Sequence, residues 1–268
     1  MYSRSSWRSG LKKVCEAAAL YGHIECLRLA RAIGVPWDDC FSLITDHIMG
    51  FVRLGSACEM AAMSGNLDCL RYARDNGCPW DEMTCAAAAK NGHLDCLRYA
   101  RDSGCPWDEM TCAAAALNGH MNCLVYARDN GCQWDKDTCH CAALNGHMDC
   151  LRYARDNGCP WDEDTCSSAA FNGHIDCLVY ARDNGCPWDV LTCSSAATNG
   201  HLHCLVYARE NGCPWDEWAC VVAEQNSHLD CVTYARTNGC LSQMGDRNVD
   251  SDGEDWCFSD EDSISDAA

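Results

Sequence analysis

Unit after unit of this chain sets a histidine three residues ahead of a cysteine, as in His93 and Cys96, His120 and Cys123, or His201 and Cys204. An imidazole and a thiolate at that spacing could supply two of the four ligands of a tetrahedral zinc ion. Cys139-His140-Cys141 adds a denser cluster and is the place where metal is worth testing. The wider pattern argues against zinc. Structural sites usually draw two ligands from a short Cys-x2–4-Cys pair, and none of the 26 cysteines has another two to five positions on except Cys139 and Cys141, which stand too close. One unit carries Asn66 where the others carry histidine. An amide is a poor zinc ligand and a good hydrogen-bond donor, so the histidine column is expected to orient backbone, with no metal and no cofactor. No unique nucleophile–base pair or phosphate-binding glycine loop stands outside the repeated columns, so no catalytic residue and no enzyme activity is expected.

The elements that position these residues repeat. Trp80, Trp107, Trp134, Trp161, Trp188 and Trp215 are spaced 27 apart, and Trp37 sits in the same phrase. A fixed period of this size marks a solenoid, in which each unit buries its apolar face only against its neighbours. Almost all cysteines fall into three columns, typified by Cys85, Cys96 and Cys105. Like residues in neighbouring units lie about 8–10 Å apart, roughly one helix-packing distance. A disulfide needs Cα atoms within about 7 Å, so the columns are read as free thiols that pack as small hydrophobes in a reducing compartment, cytoplasm or nucleus.

Within one unit, Asp81 is a candidate N-cap for a helix through Ala86–Ala89, ended by Asn91-Gly92. A second helix starts near His93, gains from Asp95 in its first turn and closes at Gly104, with Pro106 preventing its continuation. Leu94, Leu97 and Ala100 share one face. Trp107 then falls in the connector, where a flat ring can plug the seam between two units.

The phrase Ala88-Ala89-x-x-Gly92-His93-x-x-Cys96-Leu97-x-Tyr99-Ala100-x-x-x-Gly104-Cys105 resembles the ankyrin repeat, and it recurs eight times, centred on Gly22, Gly65, Gly92, Gly119, Gly146, Gly173, Gly200 and Ser227. Asn-Gly-His-x-Asp-Cys-Leu and Gly-Cys-Pro-Trp-Asp more narrowly resemble the shortened ankyrin repeats common in giant DNA viruses and some protists, which would put the protein in a host cell. The ankyrin unit runs 33 residues and opens Thr-Pro-Leu-His; here the period is 27 and the segment reads Met83-Thr84-Cys85-Ala86. A leucine-rich repeat fits less well, since Asp102 and Gly104 stand where it needs Asn or Cys and an apolar residue. The resemblance implies an all-α fold, an ankyrin-like helical solenoid of eight stacked helix-turn-helix repeats with truncated hairpin connectors, acting as a non-catalytic protein–protein interaction scaffold.

Comparing the units with one another suggests where a partner sits. Most positions hardly change, but three on the first helix do. One column runs Met83, Met110, Asp137, Asp164, Leu191, Trp218; another Ala86, Ala113, His140, Ser167, Ser194, Val221; a third Lys90, Leu117, Leu144, Phe171, Thr198, Gln225. Spacings of three and four place them on one stripe. The expected partner-binding set is Met83, Lys90, Met110, Leu117, Asp137, His140, Leu144, Asp164, Phe171, Leu191, Thr198, Trp218 and Gln225. Drift at exposed sites and a second layer of core are the other readings of the same stripe.

The expected organisation is a basic N-terminal cap over residues 1–14, a repeat array over 15–240 with an inserted amphipathic helix at about 38–57, and an acidic disordered tail over 241–268. The tail carries nine acids against Arg247, and Ser251, Ser259 and Ser263 each have an acid three residues on. A net charge of −19 disfavours a nucleic-acid partner, and no run of apolar residues suits a membrane span. Two further functions fit the sequence. One is a thiol-rich metal-binding or redox-responsive protein. The other is a substrate adaptor for a ubiquitin-ligase complex docking through 38–57, although no convincing F-box motif is present.

Overall fold

The structure, a computed structural model, describes residues 13–37, 43–46, 50–53 and 55–240. The expectations for the basic cap and the acidic tail fall almost wholly outside these residues.

Eight helix pairs follow one another. The first helix of each pair, helix A, is α1 (Val14–Leu20), α3 (Ala57–Ser64), α5 (Glu82–Lys90), α7 (Glu109–Leu117), α9 (Lys136–Leu144), α11 (Glu163–Phe171), α13 (Val190–Thr198) or α15 (Glu217–Gln225). The second, helix B, is α2 (Ile24–Ala32), α4 (Leu67–Asp75), α6 (Leu94–Asp102), α8 (Met121–Asp129), α10 (Met148–Asp156), α12 (Ile175–Asp183), α14 (Leu202–Glu210) or α16 (Leu229–Thr237). Each helix A packs on the next far more closely than each helix B does. The alanines of helix A, such as Ala88, Ala89, Ala115 and Ala116, are buried and small enough to allow that approach. The stack therefore bends with its helix A row inside.

Local chemistry sets the boundaries. From the third pair on, an aspartate caps each helix A, as Asp81 does by accepting from Met83 N at 3.1 Å. Leu97, Leu124, Leu151 and Leu178 of helix B are fully buried, and with the cysteine and alanine columns they form one continuous core. Burying a leucine contributes about 1.5–3 kcal/mol, so the core is supplied by many modest, identical contributions.

Two repeated contacts lock one pair to the next. The first explains the Asn-Gly-His phrase. The carbonyl of Leu117, last residue of α7, accepts from Asn145 Nδ2 at 2.7 Å and also from His147 of the following pair. Helix C-termini leave carbonyls without intrahelical partners, and here the next repeat satisfies them. Asn66 does the same work with an amide, donating to Ala19 O and Leu20 O, each at 3.1 Å. The histidine column thus orients backbone, as the Asn66 exchange suggested. The second contact is at the seam. Trp161 has the Arg155 guanidinium 4.3 Å from its ring centre, and Tyr180 meets it edge-on at 6.4 Å. Equivalent triplets recur at Trp80, Trp107, Trp188 and Trp215. A cation over an indole face and an edge-to-face aromatic pair each contribute about 0.5–1.5 kcal/mol.

The insertion differs from expectation. In place of an amphipathic helix it carries two antiparallel strands, β1 (Leu43–Asp46) and β2 (Gly50–Arg53), registered Leu43 to Arg53 and Asp46 to Gly50. β-branched Ile44, Thr45 and Val52 favour extended backbone, and Gly50 is costly inside a helix. The i, i+3/i+4 spacing of a few apolar residues was too short a run to outweigh them.

Candidate functional site

The cysteine and threonine positions of helix A and most of its alanines face the core, and the variable columns of Met83 and Lys90 face outward; the Ala86 column between them is buried at Ala86, Ser194 and Val221. None of the thirteen expected partner-binding residues is buried. Met110, Phe171, Leu191 and Trp218 are 49, 41, 49 and 52 % exposed, high values for large apolar side chains. Met83, Leu117, His140, Leu144, Asp164 and Thr198 are partly covered, while Lys90, Asp137 and Gln225 are open. A second layer of core is formed only in the middle column, at Ala86, Ser194 and Val221.

Between the second and fifth repeats these side chains border a groove of about 400 Å³. Its floor is Ala86, Ala87, Ala113 and Ala114; Met63, Met83, Met110 and Leu117 rise around it. Lys90, Asn91, Glu59 and Asp137 supply the polar margin, and Cys141 closes one end. Methionine is flexible and polarisable, so such walls adapt to varied apolar groups. Further along the stripe His140 Nδ1 meets Ser168 Oγ at 2.9 Å, which ties α9 to α11 and fixes the imidazole. Lys136 donates to Asp162 at 2.5 Å and lies 3.6 Å from Asp164. The Asp108 carboxyl beside the groove sits above its usual range, through burial first and then the neighbouring charge of Glu109.

The thiols face elsewhere. No disulfide joins the cysteines of the Cys85, Cys96 and Cys105 columns, and the Cys85 and Cys105 columns are buried in the core. The Cys85 thiol hydrogen-bonds Cys105 Sγ of the same unit, and Cys105 Sγ in turn donates to Asp81 O at 3.2 Å. The same thiol pairing recurs at Cys112 with Cys132, Cys139 with Cys159, and Cys166 with Cys186. These i, i+20 pairs escaped the sequence reading, which compared only like positions up the stack. Hydrogen bonding within the pair and burial raise the Cys112, Cys139 and Cys166 thiols far above their ordinary value, and burial pushes Cys96 up to about 11. The raised partner of a pair is a poor nucleophile and a poor metal ligand, and Cys132, which its hydrogen bond with Cys112 lowers, is shut in the core. Cys139 lies in the core while Cys141 lines the groove, so the Cys139-His140-Cys141 cluster does not converge. Among the described residues no three His, Cys, Asp or Glu side chains gather as a metal site, and no helix there is long and apolar enough to cross a membrane.

Residues 58–100, the second repeat and most of the third, match the family model of ankyrin repeats (many copies). Its repeats are similar to ankyrin repeats. Among solved structures, the crystal structure of the human ASB11 ankyrin repeat domain is similar over 65 % of this chain and 84 % of that one, at 15 % identity and a TM-score of 0.48. No curated protein matches the chain.

Proposed function

We propose that the protein is a non-catalytic scaffold that binds a protein partner along the helix A face of its ankyrin-like stack. One observation carries the reading. Two of the columns that vary along helix A, those of Met83 and Lys90, face outward, and they carry the exposed Met110, Phe171, Leu191 and Trp218. Exposed apolar surface that borders a groove marks an interaction site more often than a solvated face. Ankyrin repeats generally mediate protein–protein interaction, which agrees with a stripe spread over many repeats and no single pocket. The partner belongs to a compartment that keeps the thiol columns reduced, cytoplasm or nucleus.

The test is capture of a binding protein by wild type and by the triple variant Leu117→Ser, Leu144→Ser, Phe171→Ser. A partner lost from the variant, with helical content unchanged, supports the helix A face. A partner equally retained would move the interaction to the insertion or to residues 241–268.

A further inference from the structure

Charge is sorted by row in this solenoid. Every arginine of the eight helix pairs lies in a helix B. Many of them are held over rings, as Arg71 is over Tyr99 and Arg128 over Trp134. The helix A row holds only two bases, Lys90 and Lys136, and Lys136 is engaged by Asp162 and Asp164. Beside the groove and along its continuation the first turns of helix A present Glu82, Glu109, Asp137, Glu163, Asp164 and Glu217. A helix N-terminus offsets about half a unit of negative charge. Counting the capping aspartate, the third, fourth, fifth and eighth units each present two carboxylates here, the sixth three and the seventh one, which leaves most of the edge negative. Along the edge formed by the first turns of helix A the groove is flanked by carboxylates, and Lys90, at the far end of its helix, is the one base on the groove margin.

Building on the helix A reading, we propose that the occupant of this groove is a basic amphipathic protein segment. It seats apolar side chains on the alanine floor between Met83 and Met110 and sets Lys or Arg against the acidic edge. The dimensions agree. Neighbouring repeats stand about 8–10 Å apart, and seven residues of a bound helix advance about 10.5 Å, so one face of a helix laid along the stack meets equivalent carboxylates at heptad spacing. The formal charge of −19 adds long-range attraction for such a segment. An acidic or neutral segment of equal apolarity would leave the edge carboxylates opposed or without counter-charges.

Three labelled synthetic peptides test this, sharing one leucine face and carrying Lys, Gln or Glu at the polar positions, with binding to the full chain read by fluorescence anisotropy. The Lys peptide is expected to bind at least about tenfold more tightly than the Gln peptide, with the difference shrinking between about 50 and about 300 mM salt. Glu82→Gln with Glu109→Gln and Asp137→Asn should reduce the Lys peptide to the level of the Gln peptide and leave the Gln peptide unchanged. Met83→Ser with Met110→Ser should weaken both, with circular dichroism verifying that the variants fold. Equal affinity for Lys and Gln peptides, still lost in the methionine variant, would overturn the basic partner and leave the helix A reading standing. Lys-peptide binding indifferent to the methionine variant would show attraction to charge alone and overturn the groove as well. Absence of binding by all three peptides also overturns the basic partner, while the captured-partner experiment still decides the helix A reading.

Discussion

His228 Nε2 donates to the carbonyl of Thr198 at 3.0 Å, across the boundary between the last two repeats. A carbonyl only accepts, so this bond fixes a proton on that nitrogen, and the same arrangement joins His147 to Leu117 and His201 to Phe171. Each repeat closes the helix A of the one before it, so the array gains its order at its seams.

That arrangement predicts acid sensitivity. Burial lowers the pKa of His147 and His201, with further lowering from neighbouring imidazoles, His120 and His174 around His147, and His203, His174 and His228 around His201. A depressed folded-state pKa means the unfolded chain binds the proton first. The stability these histidines contribute is therefore present above the ordinary histidine range near 6.5 and is lost as pH falls through their folded values. Urea midpoints measured between about pH 7.5 and 5 should fall for wild type and fall less for His147→Asn, which keeps a donor as Asn66 does. An equal slope in both would contradict this.

Glycine at the end of helix A is required twice over, and glycine at the end of helix B once. Gly119 has φ of 71°, and a Cβ there would lie 2.5 Å from His147 Nδ1. Gly131 has φ of 84° but nothing within 4 Å of that position. Gly131→Ala should cost about 1–2 kcal/mol, the backbone penalty alone; Gly119→Ala should cost clearly more, since the histidine must also leave its carbonyl. Similar losses for the two would remove the ring contact from the account. Ser227 holds a left-handed φ of 62° where other repeats use glycine, and Ser227→Gly should stabilise by about 1 kcal/mol.

The threonine at the third residue of helix A is fully buried, and the hydroxyls of Thr84, Thr111, Thr138 and Thr165 have no hydrogen-bond partner among the described residues. Thr138→Val keeps the shape and removes the orphaned hydroxyl, so it should be neutral or stabilise by up to about 1 kcal/mol. Thr138→Ala leaves a void and should destabilise. A valine variant less stable than the alanine variant would show that the hydroxyl has a partner.

Thiol labelling separates the scaffold from a redox or metal-binding reading. With Cys40 and Cys257 replaced by serine, native protein should react with a disulfide reagent at exposed Cys26 and more slowly at half-buried Cys141, whose thiol burial pushes up to about 11. The core columns should react only on unfolding. Rapid labelling of Cys105 or Cys159 in the folded protein would revive the thiol-based function.

Much of this was legible because the chain repeats itself. Period and helix boundaries follow from comparing Trp107 with Trp134 or Leu117 with Phe171, and Asn66 exposed the purpose of the histidine column. The contacts that escaped notice join unlike positions across a fold: Cys139 with Cys159, Arg155 with Trp161, Asn145 with Leu117. Periodicity aligns like with like and is silent on which columns touch. The insertion occurs once, so nothing in the chain could correct a helical reading of what became β1 and β2.

The most direct test of the helix A face is site-specific photo-crosslinking in lysate of the native host, with a benzophenone amino acid placed singly at Phe171, Leu144 or Leu191, and at Val125 or Val179 on helix B. The account predicts one partner captured in common from the helix A positions and none from the helix B positions. Capture from Val125 and Val179 alone would place the working surface on the opposite side of the solenoid and contradict it.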